Sequence, residues 1–116
     1  MRDILENARK AQRFVADADF DAFIADDEKL YAVMLALEII GEAAKKVPPA
    51  VRARYSQVPW REVAGMRDKL SHAYFEIDVR RVWETVLGDV PSLQATVEQM
   101  LKDLEAERAR IEQNKK

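Results

Sequence analysis

The chain has 116 residues, 48% apolar and 34% charged, with one histidine and no cysteine. That length fits one domain, residues 1–116, with one small core. The balance excludes a disordered chain, and the missing thiols exclude a disulfide framework or thiolate metal centre and point to a reducing, cytoplasmic setting. A net charge of −2 argues against a strongly basic nucleic-acid binder, and the frequent charges of "MRDILENARKAQRF" predict neither a signal peptide nor a membrane span.

Three glycines and four prolines leave little punctuation, which favours long helices. A first helix is predicted from about Arg2 to Asp17, because Ile4, Leu5, Ala8, Ala11, Phe14, Val15 and Ala18 fall on one helical stripe. In the connection "DADFDAFIADD", Phe20 with Phe23 or Ile24 can plug the end of a bundle. Asp26 or Asp27 is the expected N-cap of a second helix, about Glu28 to Lys46, closed by two lysines and then Pro48-Pro49. Only Glu38 and Glu42 are charged between Leu30 and Ala44. A helix so apolar is either central to its own core or shared with another chain, and in a bundle this small a homodimer through the second helix is expected. Gly41 costs about 1 kcal/mol against alanine in a helix interior, which a close backbone approach would explain.

"PPAVRARY" reads as a short helical turn, and "VPWREVAGMRDKLS" as the start of a third helix with Pro59 in its first turn. Asp78 is expected to cap a fourth, "VRRVWETVL", which Gly88 interrupts. Pro91 opens a last helix to about Ile111, and the charged stretch over about 105–116 is expected to fray. No segment alternates long enough to make a substantial strand. The fold class is therefore all-α, an up-and-down bundle of four to five helices.

The stretch "GMRDKLSHAYFEID" holds the lone histidine, His72, with Arg67 five residues before it and Tyr74 two after. If the third helix runs through Ser71 or His72, then Asp68 and His72 share a face and the carboxylate can orient the imidazole. Arg67 and Ser71 form the neighbouring pair. Arg67 and His72 lie about 140° apart on an ideal helix, so they converge on one ligand only if the helix loosens or the ligand is large. A polynucleotide phosphate with its ribose is large enough. The chemistry that suits these groups is transesterification of RNA. A histidine, which titrates near ~6.5, takes the proton of a 2′-hydroxyl or gives one to the leaving 5′-oxygen. An arginine fork holds the phosphate and offsets the growing charge. No metal or other cofactor is called for, and a 2′-hydroxyl nucleophile implies RNA rather than DNA. One histidine fills one proton-transfer role, and a dimer presenting two motifs across one cleft fills both. The ordinary alternatives are a surface or capping histidine, core aromatics at Phe75 and Trp83, and a solvated Arg67–Asp68 pair.

Residues 50–81 carry seven Lys/Arg against four Asp/Glu, a local +3 against −5 for the remainder. Arg61, Lys69, Arg80 and Arg81 are the candidates there for contacting RNA, although a solvated charged face explains the clustering equally well. Glu38 and Glu42 either face the cleft, pair with a basic side chain across the dimer, or form the solvent stripe of their helix.

In "RDKLSHAY" the arginine, a polar residue, three further positions, histidine, any residue and tyrosine match the motif of HepT-like toxins of the HEPN superfamily. "LEIIGEAAKKVP", "VPWREVAGMRDKLSHAYFEID" and the spacing from Trp83 to Pro91 and Leu93 resemble that family in order, over roughly residues 1–105. The resemblance implies a HEPN-like bundle, a homodimer and a metal-independent ribonuclease acting as the toxin of a toxin–antitoxin pair. It also implies a partner, an MntA-like nucleotidyltransferase antitoxin that transfers AMP to the motif tyrosine. Carried over, Arg67 and His72 are the catalytic pair, Asp68 and Ser71 support them, and Tyr74 is the AMPylation site. Asp68 stands where asparagine is common, adding negative charge beside an RNA site. The competing reading is a non-catalytic helical subunit that docks and restrains the nucleotidyltransferase.

Overall fold

The computed structural model describes residues 1–66, 68, 71–72 and 76–115, with the backbone alone at Ser71, His72 and Glu76. The described chain is built of helices packed on one core, with a two-stranded hairpin between them.

Helix α1 (Arg2–Val15) buries Ile4, Asn7, Ala8, Ala11 and Val15 at the three- and four-residue spacing of a single face. The buried Asn7 is satisfied locally, its amide donating to the Asp3 carbonyl at 2.9 Å. Helix α2 (Phe20–Ile24) starts at Asp19, whose carboxylate accepts from the Ala22 amide at 2.8 Å. This short turn closes the bundle end. Phe23 is fully buried with its ring centroid 5.3 Å from that of Trp83, Phe20 meets Trp83 edge-on at 6.0 Å, and Ile24 faces solvent. Phe23 is therefore the plug and Ile24 is not.

Helix α3 (Asp27–Lys45) is capped by Asp26, which accepts from the Lys29 amide at 3.1 Å. Its inner face buries Leu30, Val33, Ala36, Leu37, Ile40, Gly41 and Ala44 against α1 and α5. Gly41 has the packing reason its position suggests, since a Cβ there would lie 3.3 Å from the Val63 carbonyl oxygen of α5. The outer face leaves Tyr31 66% and Leu35 59% exposed. At the far end the Arg52 guanidinium donates to the Ala44 carbonyl at 2.6 Å and the Val47 carbonyl at 3.0 Å, satisfying groups a helix terminus leaves open.

Helix α4 (Pro49–Arg54) is the expected short turn. It is fastened to the last helix by the Tyr55 hydroxyl, which donates to the Asp103 carboxylate, and by an Arg54–Glu107 ion pair. That hydrogen bond holds the Asp103 carboxyl below its ordinary range and raises the Tyr55 phenol above its own. A lowered carboxyl stabilises the fold above its unfolded pKa, and the gain disappears as pH falls through the folded value. A raised phenol contributes below its unfolded pKa and loses its share as pH climbs through the folded one. Tyr55→Phe is thus expected to melt below the wild type at neutral pH, with the gap closing in strong acid and again in strong alkali; thermal melts across pH check this.

Helix α5 (Trp60–Ala64) ends at Gly65, short of the expected run through Ser71. Ser71 and His72 instead form strand β1, paired antiparallel with β2 (Glu76–Ile77) in the register Ser71 with Ile77 and His72 with Glu76. Asp68 is helical and exposed, its amide donating to the Gly65 carbonyl at 3.1 Å. A continuous helix therefore does not carry Asp68 and His72 on one face; the expected Arg67–Ser71 pair lies outside the described residues at Arg67.

Asp78 caps α6 (Val79–Glu84), accepting from the Arg81 amide at 3.1 Å. Gly88 does not break the chain direction. The backbone passes through a π-helical segment, Thr85–Asp89, into α7 (Val90–Asn114), with helical dihedrals at both junctions. The wider π turn sits just before Pro91, which has no N–H to give to the preceding turn and whose ring crowds a regular helix. The Thr85 hydroxyl donates back to the Arg81 carbonyl at 2.7 Å, taking up one acceptor at the start of the distortion. Helix α7 packs Val90, Leu93, Val97 and Met100 into the core and is helical to Asn114, through the charged stretch from about residue 105. The molecule is accordingly elongated, 58 × 29 × 19 Å. Among the described residues no helix is long and apolar enough to cross a membrane.

Candidate active site and the cavity beside it

Arg67, Lys69 and Tyr74, with Phe75, lie outside the described residues, and Ser71 and His72 are described by backbone alone. What the structure places is the frame around them. The motif begins just after Met66, which is buried two residues beyond the end of α5, and Asp78 caps the helix that follows it. His72 sits on a hairpin strand, where the antiparallel ladder fixes its backbone opposite Glu76.

Met66 at the near end of this frame and Arg81 of α6 border a cavity of about 160 Å³. Its floor is apolar, formed by Val58, Val63, Met66, Val90 and Leu93. Its rim is polar and carries the Glu62 and Asp89 carboxylates and the Arg81 side chain. Arg81 also lines an open groove on the other side of α6, together with Arg80 and Glu84. The π segment supplies Thr85 and Asp89 to both surfaces, in keeping with the frequency of π turns at functional sites.

Of the candidate RNA-contacting residues, Arg80 and Arg81 therefore share the groove. The Arg80 guanidinium lies 4.2 Å from the Phe20 ring centroid, which stacks its plane and leaves its edge for hydrogen bonds. Arg61 is exposed on α5 but is not part of the cavity lining. Glu38 and Glu42 do not line this cavity either; both border a separate shallow surface of α1 and α3 with Leu35, and Glu42 pairs with Lys45 at 2.9 Å. Sequence reasoning missed the cavity itself. The signal for it lay in "TVLGDVP", where a back-bonding threonine, a glycine and a proline crowd one helical stretch.

An all-α bundle whose lone histidine stands on a hairpin strand, a few residues past a half-enclosed cavity, has a family. The HepT-like model, described as ribonuclease HepT-like, matches residues 4–100, which include the whole motif. A protein of Thermococcus cleftensis named "Probable ribonuclease HepT" is 44% identical over 102 residues, 88% of this chain and 93% of that one. A Methanocaldococcus jannaschii protein named as a "putative RNase" is 44% identical over 103 residues, 89% of each chain. Another so named, from Caldanaerobacter subterraneus, is 40% identical over 102 residues, 88% of this chain and 91% of its own. No solved structure gives a significant match. The chain belongs to the HepT-like ribonuclease family, and that membership places it among RNA-cleaving enzymes.

Proposed function

We propose that the chain is a metal-independent endoribonuclease that cuts RNA by attack of a 2′-hydroxyl on the adjacent phosphate, with Arg67 and His72 as its catalytic pair. Arg67 holds the phosphate oxygens, where a guanidinium fork offsets the charge of the transition state. His72 moves the proton at the 2′-hydroxyl or at the leaving 5′-oxygen. Asp68 and Ser71 support the pair through their place in the motif, since the helical contact once expected between Asp68 and His72 does not apply to an extended His72. Lys69, Arg61, Arg80 and Arg81 guide the strand. The observation that carries the reading is the family match, which runs through the motif from end to end.

Two motifs are needed to fill both proton-transfer roles, and a homodimer provides them. The exposed Tyr31 and Leu35 on α3 support that pairing, as apolar groups on a helix that is already fully packed on its inner side. The activity serves as the toxin of a toxin–antitoxin pair. Its antitoxin is an MntA-like nucleotidyltransferase that esterifies AMP to Tyr74, placing a phosphate anion and a base at the motif, where the anion competes for Arg67 and the bulk excludes RNA.

The test is expression in cells with and without such a nucleotidyltransferase. Growth is expected to stop with this chain alone and to resume on co-expression, with one or more AMP units mapped to Tyr74 by mass spectrometry. Arrest caused by the nucleotidyltransferase and relieved by this chain would instead make it a docking subunit that restrains its partner. AMP mapped elsewhere would remove Tyr74 from the switch.

A further inference from the structure

The cavity between α5 and the π segment is not explained by proton transfer at the phosphate. Its volume, about 160 Å³, is that of a site able to take one flat ring; an engineered protein cavity of about 150 Å³ holds benzene. Its floor offers buried Val63, Met66 and Leu93 to the faces of such a ring. Its rim decides what the ring carries. With two carboxylates, Glu62 and Asp89, against the single Arg81 cation, the rim favours N–H donors at the ring edge over a phosphate or carboxylate ligand.

The cavity is also tied to the motif by the chain itself. Met66 forms part of its wall and is the residue before Arg67, while Arg81 lies five residues beyond Glu76, the ladder partner of His72. An extended chain of six residues spans at most roughly 20 Å, so His72 stays within that reach of Met66.

We infer that this cavity is a nucleobase subsite for the RNA strand, taking cytosine, a single ring with an exocyclic amine, in preference to uracil, which presents a carbonyl oxygen at that position. The inference rests on the RNA-cleaving reading of the motif and adds a base preference to it. The ring packs its faces on Val63, Met66 and Leu93, and its amine donates to the carboxylate rim. Arg81 spans the cavity and the outer groove, so it can meet the sugar–phosphate chain leading away from the bound base.

The experiment titrates the full-length His72→Ala protein with cytidine and, separately, uridine, following the methyl signals of Val63, Val90 and Leu93 by NMR. Cytidine is expected to move these signals, and uridine to require about ten-fold more, the worth of one hydrogen bond to a charged acceptor. Asp89→Asn, at an exposed position, is expected to bring the two nucleosides within about two-fold of each other. Leu93→Trp is expected to abolish the shifts by filling the site. Absence of methyl shifts with either nucleoside, equal affinities in the parent protein, or a cytidine preference that survives both Asp89→Asn and Glu62→Gln overturns the subsite. Because the titration needs no cleavage, the two readings fail separately. A protein that binds cytidine here but leaves RNA intact keeps the pocket and loses the ribonuclease mechanism, whereas one that cuts RNA without binding nucleoside loses the pocket alone.

Discussion

His72→Ala is expected to lower the rate of RNA cleavage by about 10²- to 10⁴-fold, the range general acid–base catalysis supplies. The measurement is cleavage of a labelled RNA in the presence of EDTA, with circular dichroism confirming that the variant keeps its helices. The magnitude follows from the chemistry. The chain has one imidazole, so no second side chain of that kind can take over. Arg67→Lys is expected to retain more activity than His72→Ala, since it keeps a positive charge but loses the two-pronged hold on the phosphate. Cleavage that survives His72→Ala, or that EDTA stops in the wild type, would contradict the assignment.

The largest effect on stability is expected at the other end of the bundle. Phe23 is fully buried in a five-residue helix and packs against Trp83 of α6. Phe23→Ala deletes a ring from a site whose neighbours are held by separate helices, α2 leading into α3 and α6 leading into the π segment, so collapse around the void is incomplete. A cost of about 3–5 kcal/mol is expected, a large part of the 5–15 kcal/mol that domains typically possess. Chemical denaturation should show a lower midpoint with little change in slope. Ile24→Ala, one residue along but exposed, should change stability by no more than about 0.5 kcal/mol. Similar losses at the two positions would mean that the plug is wrongly placed.

The long helices were legible because each carries its evidence within itself. The α1 stripe and the Asp26 cap of α3 with its lysine end are local signals, and helix bounds fell within two residues of expectation there. Gly41 was legible as a close approach, though not what it approaches, because Val63 is 22 positions away in sequence. Two features were misread for physical reasons. "MRDKLSH" was expected to continue one helix, and Met66 and Asp68 are helical, but Gly65 ends α5 and the pairing of Ser71 and His72 with Ile77 and Glu76 holds β1 extended. Gly88 was expected to interrupt the helix, yet a π turn takes it up and leads into α7, near whose start Pro91 stands. At the C-terminal end Asp103 and Glu107 anchor α7 on α4 through Tyr55 and Arg54, contacts that span some fifty residues. Periodicity reports none of these, since each depends on what a distant segment brings. The candidate site reads from the sequence as a list of residue types and a resemblance to a family, and the family is the part that the comparisons bear out. The cavity was not, because its walls come from α5, α6, the π segment and α7 together.

The most direct measurement of the central claim is the chemical nature of the cut ends. Attack by the 2′-hydroxyl forms a 2′,3′-cyclic phosphate on one fragment and releases the other with a 5′-hydroxyl. Mass spectrometry of RNA fragments produced in EDTA is expected to find those termini. Fragments bearing 3′-hydroxyl and 5′-phosphate ends, which a water nucleophile produces, would contradict the account.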